Sequence, residues 1–128
     1  MLHFNLKFNL LVTFLILFSF KTTFGAYILI PMDDTQTNHL KAYGVAFLAI
    51  EKEINVNWLL NYKGGSFLIK SNDKIKEECT IRNISFSLIA DLQSTSILQS
   101  ISANDVNQEV IKLEKTPRIA IYSPKNKQ

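Results

Sequence analysis

Residues 27–50 read YILIPMDDTQTNHLKAYGVAFLAI, and the way this stretch changes period decides the fold class. Tyr27 to Ile30 is a continuous apolar run stopped by Pro31, the pattern of a short buried strand. Asp33 or Asp34 then offers a helix cap, and Asp33 with Gln36 three residues on has the spacing of a capping box. Beyond it, Leu40, Tyr43, Gly44, Phe47 and Leu48 recur at helical spacing, and Val45, Ala46, Ala49 and Ile50 make the other side apolar too. Such a helix is expected to be mostly buried.

Working outward, the same alternation continues. Val56 to Leu60 and Ser66 to Ile69 read as strands around Asn61-Tyr62-Lys63-Gly64-Gly65, whose paired glycines suit a hairpin turn. A polar helix is expected from about Asn72 to Arg82, a strand at Ser85 to Ile89, and a helix capped by Asp91 with Ile97, Leu98 and Ile101 on one face. Asp105 to Glu114 reads as a helical turn region or an extended linker, and Arg118 to Tyr122 as a last strand between Pro117 and Pro124. Strands alternating with helices in this way predict an α/β fold of three layers with a mainly parallel sheet. The polar stub after Tyr122 has no capping signal or apolar pattern, so that sheet is expected to be incomplete.

Residues 1–25 have the composition of an export signal. A short, weakly basic start is followed by the apolar run Phe8 to Phe20 and by small residues near Gly25. That run is shorter than the ~20 residues needed to span a bilayer. The expectation is a cleaved leader, a mature chain from Ala26, membrane contact only during export, and a periplasmic or secreted location. Losing Lys7 and Lys21 with the leader lowers the net charge from +3 to +1. The remaining excess gathers at Lys112, Lys115, Arg118, Lys125 and Lys127, without the dense basic stripe and stacking aromatics that nucleic acid requires. One cysteine, Cys79, excludes an internal disulfide, so the core must hold the exported chain together.

Candidate chemistry is sparse. Asp33 and Asp34 directly follow the first strand, where α/β sheets bind ligands, although capping accounts for them equally. Lys63, Gly64, Gly65 and Ser66 invite a phosphate-loop reading, but the spacing of that motif is missing and a strand follows, so a turn is favoured. These six residues are the candidate site for a small-molecule ligand. Cys79 lies four residues beyond Ile75 and reads as a packed hydrophobe. His39 has no second ligand at metal spacing. No catalytic residue, metal or cofactor is expected.

Tyr27–Asp34, Asn38–Gly44, Trp58–Phe67, Val110–Lys115 and Ile119–Pro124 together resemble the start of a family of exported bacterial proteins labelled asparagine synthetase B. The resemblance covers essentially all of the mature chain. Members are longer, and their remaining part is similar to a class I glutamine amidotransferase-like α/β domain. It implies that residues 26–128 are the N-terminal part of such a domain, a scaffold or ligand-binding segment whose partner is the remainder of a longer parent chain. A complete small periplasmic binding or interaction domain is the alternative. No catalytic residue carries over. Leu2 and Ala26 stand where an N-terminal cysteine nucleophile would be exposed, and Gly64-Gly65-Ser66 does not follow the order of a Ser-Gly-Gly-rich pyrophosphatase loop.

Overall fold

The computed structural model describes residues 25–103 and 107–118, so the expected leader up to residue 24, and residues 119–122 of the strand expected at Arg118–Tyr122, lie outside the described residues. The chain runs β1 (Tyr27–Ile30), α1 (His39–Glu51), β2 (Val56–Leu60), β3 (Ser66–Lys70), α2 (Asp73–Ile81), β4 (Ser87–Ile89), α3 (Asp91–Ile101) and β5 (Glu109–Leu113). Its five strands form one sheet in the order β4-β1-β3-β2-β5. Every neighbouring pair is antiparallel.

This overturns the mainly parallel, amidotransferase-like or flavodoxin-like sheet. The reason is where each helical crossover lands. β1 and β2 point the same way, as a β-α-β unit requires, but β3 is inserted between them; β3 and β4 likewise point the same way with β1 inserted between them. The result for β1 to β4 is the split β-α-β arrangement. α3 then carries the chain from the β4 edge to the β5 edge. The segment read as a helical turn or linker at 105–114 contains β5, paired with β2 from Val56↔Leu113 to Leu60↔Glu109.

β1 and β3 lie in the interior of the sheet, which is why Tyr27–Ile30 and Phe67–Ile69 read as unbroken apolar runs. Their register, Ile28↔Ile69, Leu29↔Leu68 and Ile30↔Phe67, sends alternate side chains to opposite faces. On one face Ile28, Ile30, Val56, Phe67 and Ile69 meet Ala42, Val45, Ala46 and Ala49 of α1 and Ile75 and Cys79 of α2. On the other, Leu29, Leu59, Leu68 and Ile89 meet Ile101, Ile97 and Leu98 of α3. α1 and α2 are capped by Asn38 and Asn72, whose side chains accept from Lys41 N and from Lys74 N and Ile75 N. Asp91 is inside the first turn of α3, and Ala90 holds the cap position without a side-chain bond.

The Asp33–Gln36 capping box does not form. Asp33 instead accepts from the amide and hydroxyl of Thr35 in a local turn, which holds its carboxyl below the ordinary range, with Lys63 adding to the effect. Gln36 is buried and faces the segment before β4. Its amide nitrogen donates to Pro31 O at 2.8 Å and Ser85 O at 3.1 Å, and its oxygen accepts from Ser85 N at 2.8 Å. Thr37 Oγ1 donates to Asn83 O and Ser85 Oγ to Thr35 O alongside. Side chains thus continue the β1–β4 pairing past the end of the sheet.

Cys79 is fully buried, and burial pushes its thiol from an ordinary 9.0 up to about 11. The folded chain keeps this proton while the unfolded chain releases it, so stability is fully present below pH 9 and falls as pH rises toward 11. Relative to Cys79→Ala, the wild type is expected to lose roughly 2–3 kcal/mol across that interval. Urea midpoints of both proteins from pH 8 to 11 check this; parallel curves would refute it.

Candidate functional site

The connection from β2 to β3 is held in a left-handed path: Asn61, Lys63, Gly64 and Gly65 have φ of 60°, 44°, 75° and 89°. The carbonyl of Tyr62 collects it, accepting from Gly65 N, Ser66 N and Ser66 Oγ at 2.9–3.0 Å. The loop after β1 packs directly on this turn. Met32 N donates to Lys63 O at 2.9 Å, and a side chain on Gly64 would place its Cβ 2.3 Å from Met32 O. His39 closes the same corner, its Nε2 lying 3.1 Å from Met32 O and 3.2 Å from Asp33 O. Carbonyl oxygens only accept, so Nε2 carries the proton and is not free to bind a metal.

The structure therefore brings Asp33 and Asp34 together with Lys63, Gly64, Gly65 and Ser66, and shows how their polar groups are used. Asp33 holds Thr35, Ser66 is buried and bonded to Tyr62, and Gly65 O accepts from Trp58 Nε1 at 2.9 Å. Asp34 and Lys63 are exposed. Among the described residues no three His, Cys, Asp or Glu side chains gather at metal distance, and no helix is long and apolar enough to cross a membrane.

Beside this corner runs a different feature. α1 packs over β2 and β3 with α2 at its side. Two helices cover about 20 Å of sheet while five strands span roughly 24 Å, so a strip beside β5 stays uncovered. There Leu40, Tyr43, Gly44, Phe47 and Ile50 of α1 face Trp58, Phe67 and Leu113 across an open apolar groove of about 460 Å³. Leu40 is 82%, Tyr43 51% and Phe47 38% exposed. The expectation of a mostly buried α1 is thus corrected: Ala42, Val45, Ala46 and Ala49 are inside, and a second apolar stripe is outside.

The groove walls are fixed. Trp58 is pinned through its indole N–H to Gly65 O, and Tyr43 meets Phe67 edge-on with ring centres 5.5 Å apart. Small side chains dominate the buried face of α1, which brings the helix close to the sheet and leaves its large residues to the open side. The 3-4-3 spacing of Leu40, Tyr43, Phe47 and Ile50 was the available signal, since it forms a stripe separate from the buried one.

Comparison of the chain with protein-family models, with curated proteins and with solved structures finds no match. The resemblance to asparagine synthetase B thus gains no support from them, and the antiparallel sheet contradicts the amidotransferase-like α/β part of it.

Proposed function

We propose that this chain is a non-catalytic recognition domain that docks an apolar segment in the groove beside α1. The observation that carries this reading is the exposed stripe Leu40, Tyr43 and Phe47 facing Trp58 and Leu113. Clustered exposed apolar side chains mark interaction surfaces, and an aromatic wall held by its own hydrogen bond is preorganised for contact. The groove also lies within the size range of ligand sites. Cys79 has no part in such a surface, being buried and protonated.

Trp58 is the sole tryptophan and lines the groove, so it reports occupancy directly. Titrating the full chain with a dansyl-labelled Leu-Phe-Leu amide should give saturable energy transfer from Trp58. Phe47→Asp should weaken the apparent affinity at least about tenfold, by placing a charge on the apolar wall. Equal titration curves for both proteins would sink the reading. Asp34→Ala, at the polar corner, should leave the curve unchanged; a loss there would favour a polar ligand at Asp33, Asp34 and Lys63–Ser66 instead.

A further inference from the structure

We propose that the apolar element docked in this groove is α1 of a second copy of the chain, the two helices packing antiparallel about a two-fold axis. The inference rests on reading the groove as a docking surface and names its partner.

The spacing of the stripe is the first argument. Leu40, Tyr43, Phe47 and Ile50 stand three, four and three residues apart, the seam by which one helix packs on another. An extended segment presents side chains to one face at every second residue and does not match that period. Gly44 lies between the two aromatic positions and also lines the groove. A glycine inside a helix weakens it, and the packing of the described residues does not require this one: the nearest atom to an added Cβ is an Arg82 nitrogen at 4.0 Å. Its missing side chain lets a second backbone approach the middle of the seam.

Shape and charge then favour the chain itself. A two-fold interface needs a projection and a recess on one and the same patch. Leu40, 82% exposed, is the projection, and the groove floor of Trp58, Phe67 and Leu113 is the recess. About an axis midway between Tyr43 and Phe47, Leu40 of each copy meets Ile50 of the other, and Tyr43 meets Phe47. No charged side chain lines the groove, so two copies come together there without like-charge repulsion. At the margins, antiparallel packing sets the amino end of each α1, with Lys41, near the carboxyl end of the other, with Glu51 and Glu53. Helix dipoles and side-chain charges are both complementary in that arrangement.

The area suffices for a weak, specific dimer. At roughly 200 Å² for a large apolar side chain, Leu40, Tyr43 and Phe47 expose about 340 Å², and half-buried Ile50, Trp58 and Leu113 raise the patch to about 500 Å². Two such patches bury about 1,000 Å², the size a specific interface must reach.

Sedimentation velocity of the full chain across the micromolar range tests this, and should show a reversible monomer–dimer equilibrium. Leu40→Glu places a carboxylate in the seam beside Glu51 of the other copy and should weaken the dimer at least about a hundredfold. Leu40→Lys, which Glu51 of the other copy can meet, should weaken it only about tenfold. Leu40 is exposed, so both variants should keep the urea midpoint of the monomer. Gly44→Leu should also weaken the dimer at least about tenfold while the monomer stays folded, because the added side chain holds the helices apart.

A chain that stays monomeric throughout would overturn the proposal, as would a dimer that Leu40→Glu and Gly44→Leu leave intact, or equal losses from Leu40→Glu and Leu40→Lys. The dansyl peptide separates this from the docking function. Saturable peptide binding that Phe47→Asp weakens, in a chain that never dimerises, would leave the docking function standing and remove the second copy. A dimer with the expected pattern of losses, in a chain that binds no peptide, would keep the second copy and remove the peptide reading.

Discussion

Replacing Gly64 by alanine is expected to remove about 3–5 kcal/mol of stability, enough to unfold a marginal domain. Two costs add. At φ +75° a side chain is strained by roughly 1 kcal/mol or more. The larger cost is steric: the new Cβ would lie 2.3 Å from Met32 O and 2.7 Å from Asp33 N, both backbone atoms of the loop that leaves β1. Relief requires the turn to lift away, which breaks Met32 N–H to Lys63 O and loosens Gly65, on which Trp58 is anchored. Gly44→Ala is the contrast. Its new Cβ meets nothing closer than an Arg82 nitrogen at 4.0 Å, and a helical Gly→Ala change is expected to stabilise by up to ~1 kcal/mol. Urea midpoints of the two variants should therefore move in opposite directions.

Gln36→Leu is expected to cost about 3 kcal/mol although the side chain keeps nearly the same size. Pro31 O loses its partner in a buried setting, and half-buried Ser85 loses bonds at both its N–H and C=O. Gln36→Glu distinguishes the two roles of the amide: a carboxylate still accepts from Ser85 N but cannot donate to the two carbonyls. Amide exchange at Ser85 should thus be fast in Gln36→Leu and slow in Gln36→Glu, while both melt lower than wild type. Unchanged exchange at Ser85 in Gln36→Leu would show that this link does not hold the β1–β4 edge.

Much of the element order was legible because burial imposes period and composition. Tyr27–Ile30 and Phe67–Ile69 had to be unbroken apolar runs to serve as interior strands, and Ile75 with Cys79 had to sit one turn apart to reach the core. The strand order was not legible. Helical crossovers from β1 to β2 and from β3 to β4 look the same in sequence whether the linked strands touch or leave a gap for a third. β5 was missed because Glu109-Val110-Ile111-Lys112-Leu113 alternates imperfectly, with Glu109 on the same face as Leu113 and with Val110 and Ile111 adjacent. At the candidate site, the sequence offered Asp33, Asp34 and Lys63–Ser66 as ligand-binding residues, with capping and a turn as the competing readings. Asp33 and Ser66 bond locally, to Thr35 and Tyr62, whereas the contact of Met32 N with Lys63 O was not legible because it depends on a register between segments some thirty residues apart. The groove escaped notice because apolar positions on all sides of a helix do not say which side a sheet will cover.

The split arrangement also dictates how the chain must be made. β1 is synthesised first, yet its two hydrogen-bonding edges are satisfied by β3 and β4, which follow it by about 40 and 60 residues. At a ribosomal rate of roughly 5–20 residues per second, its backbone N–H and C=O groups wait several seconds for both partners. Until then Ile28, Leu29 and Ile30 form an unpaired hydrophobic strand in the nascent chain, so the early life of this protein is a contest between its own later strands and any other edge that arrives first.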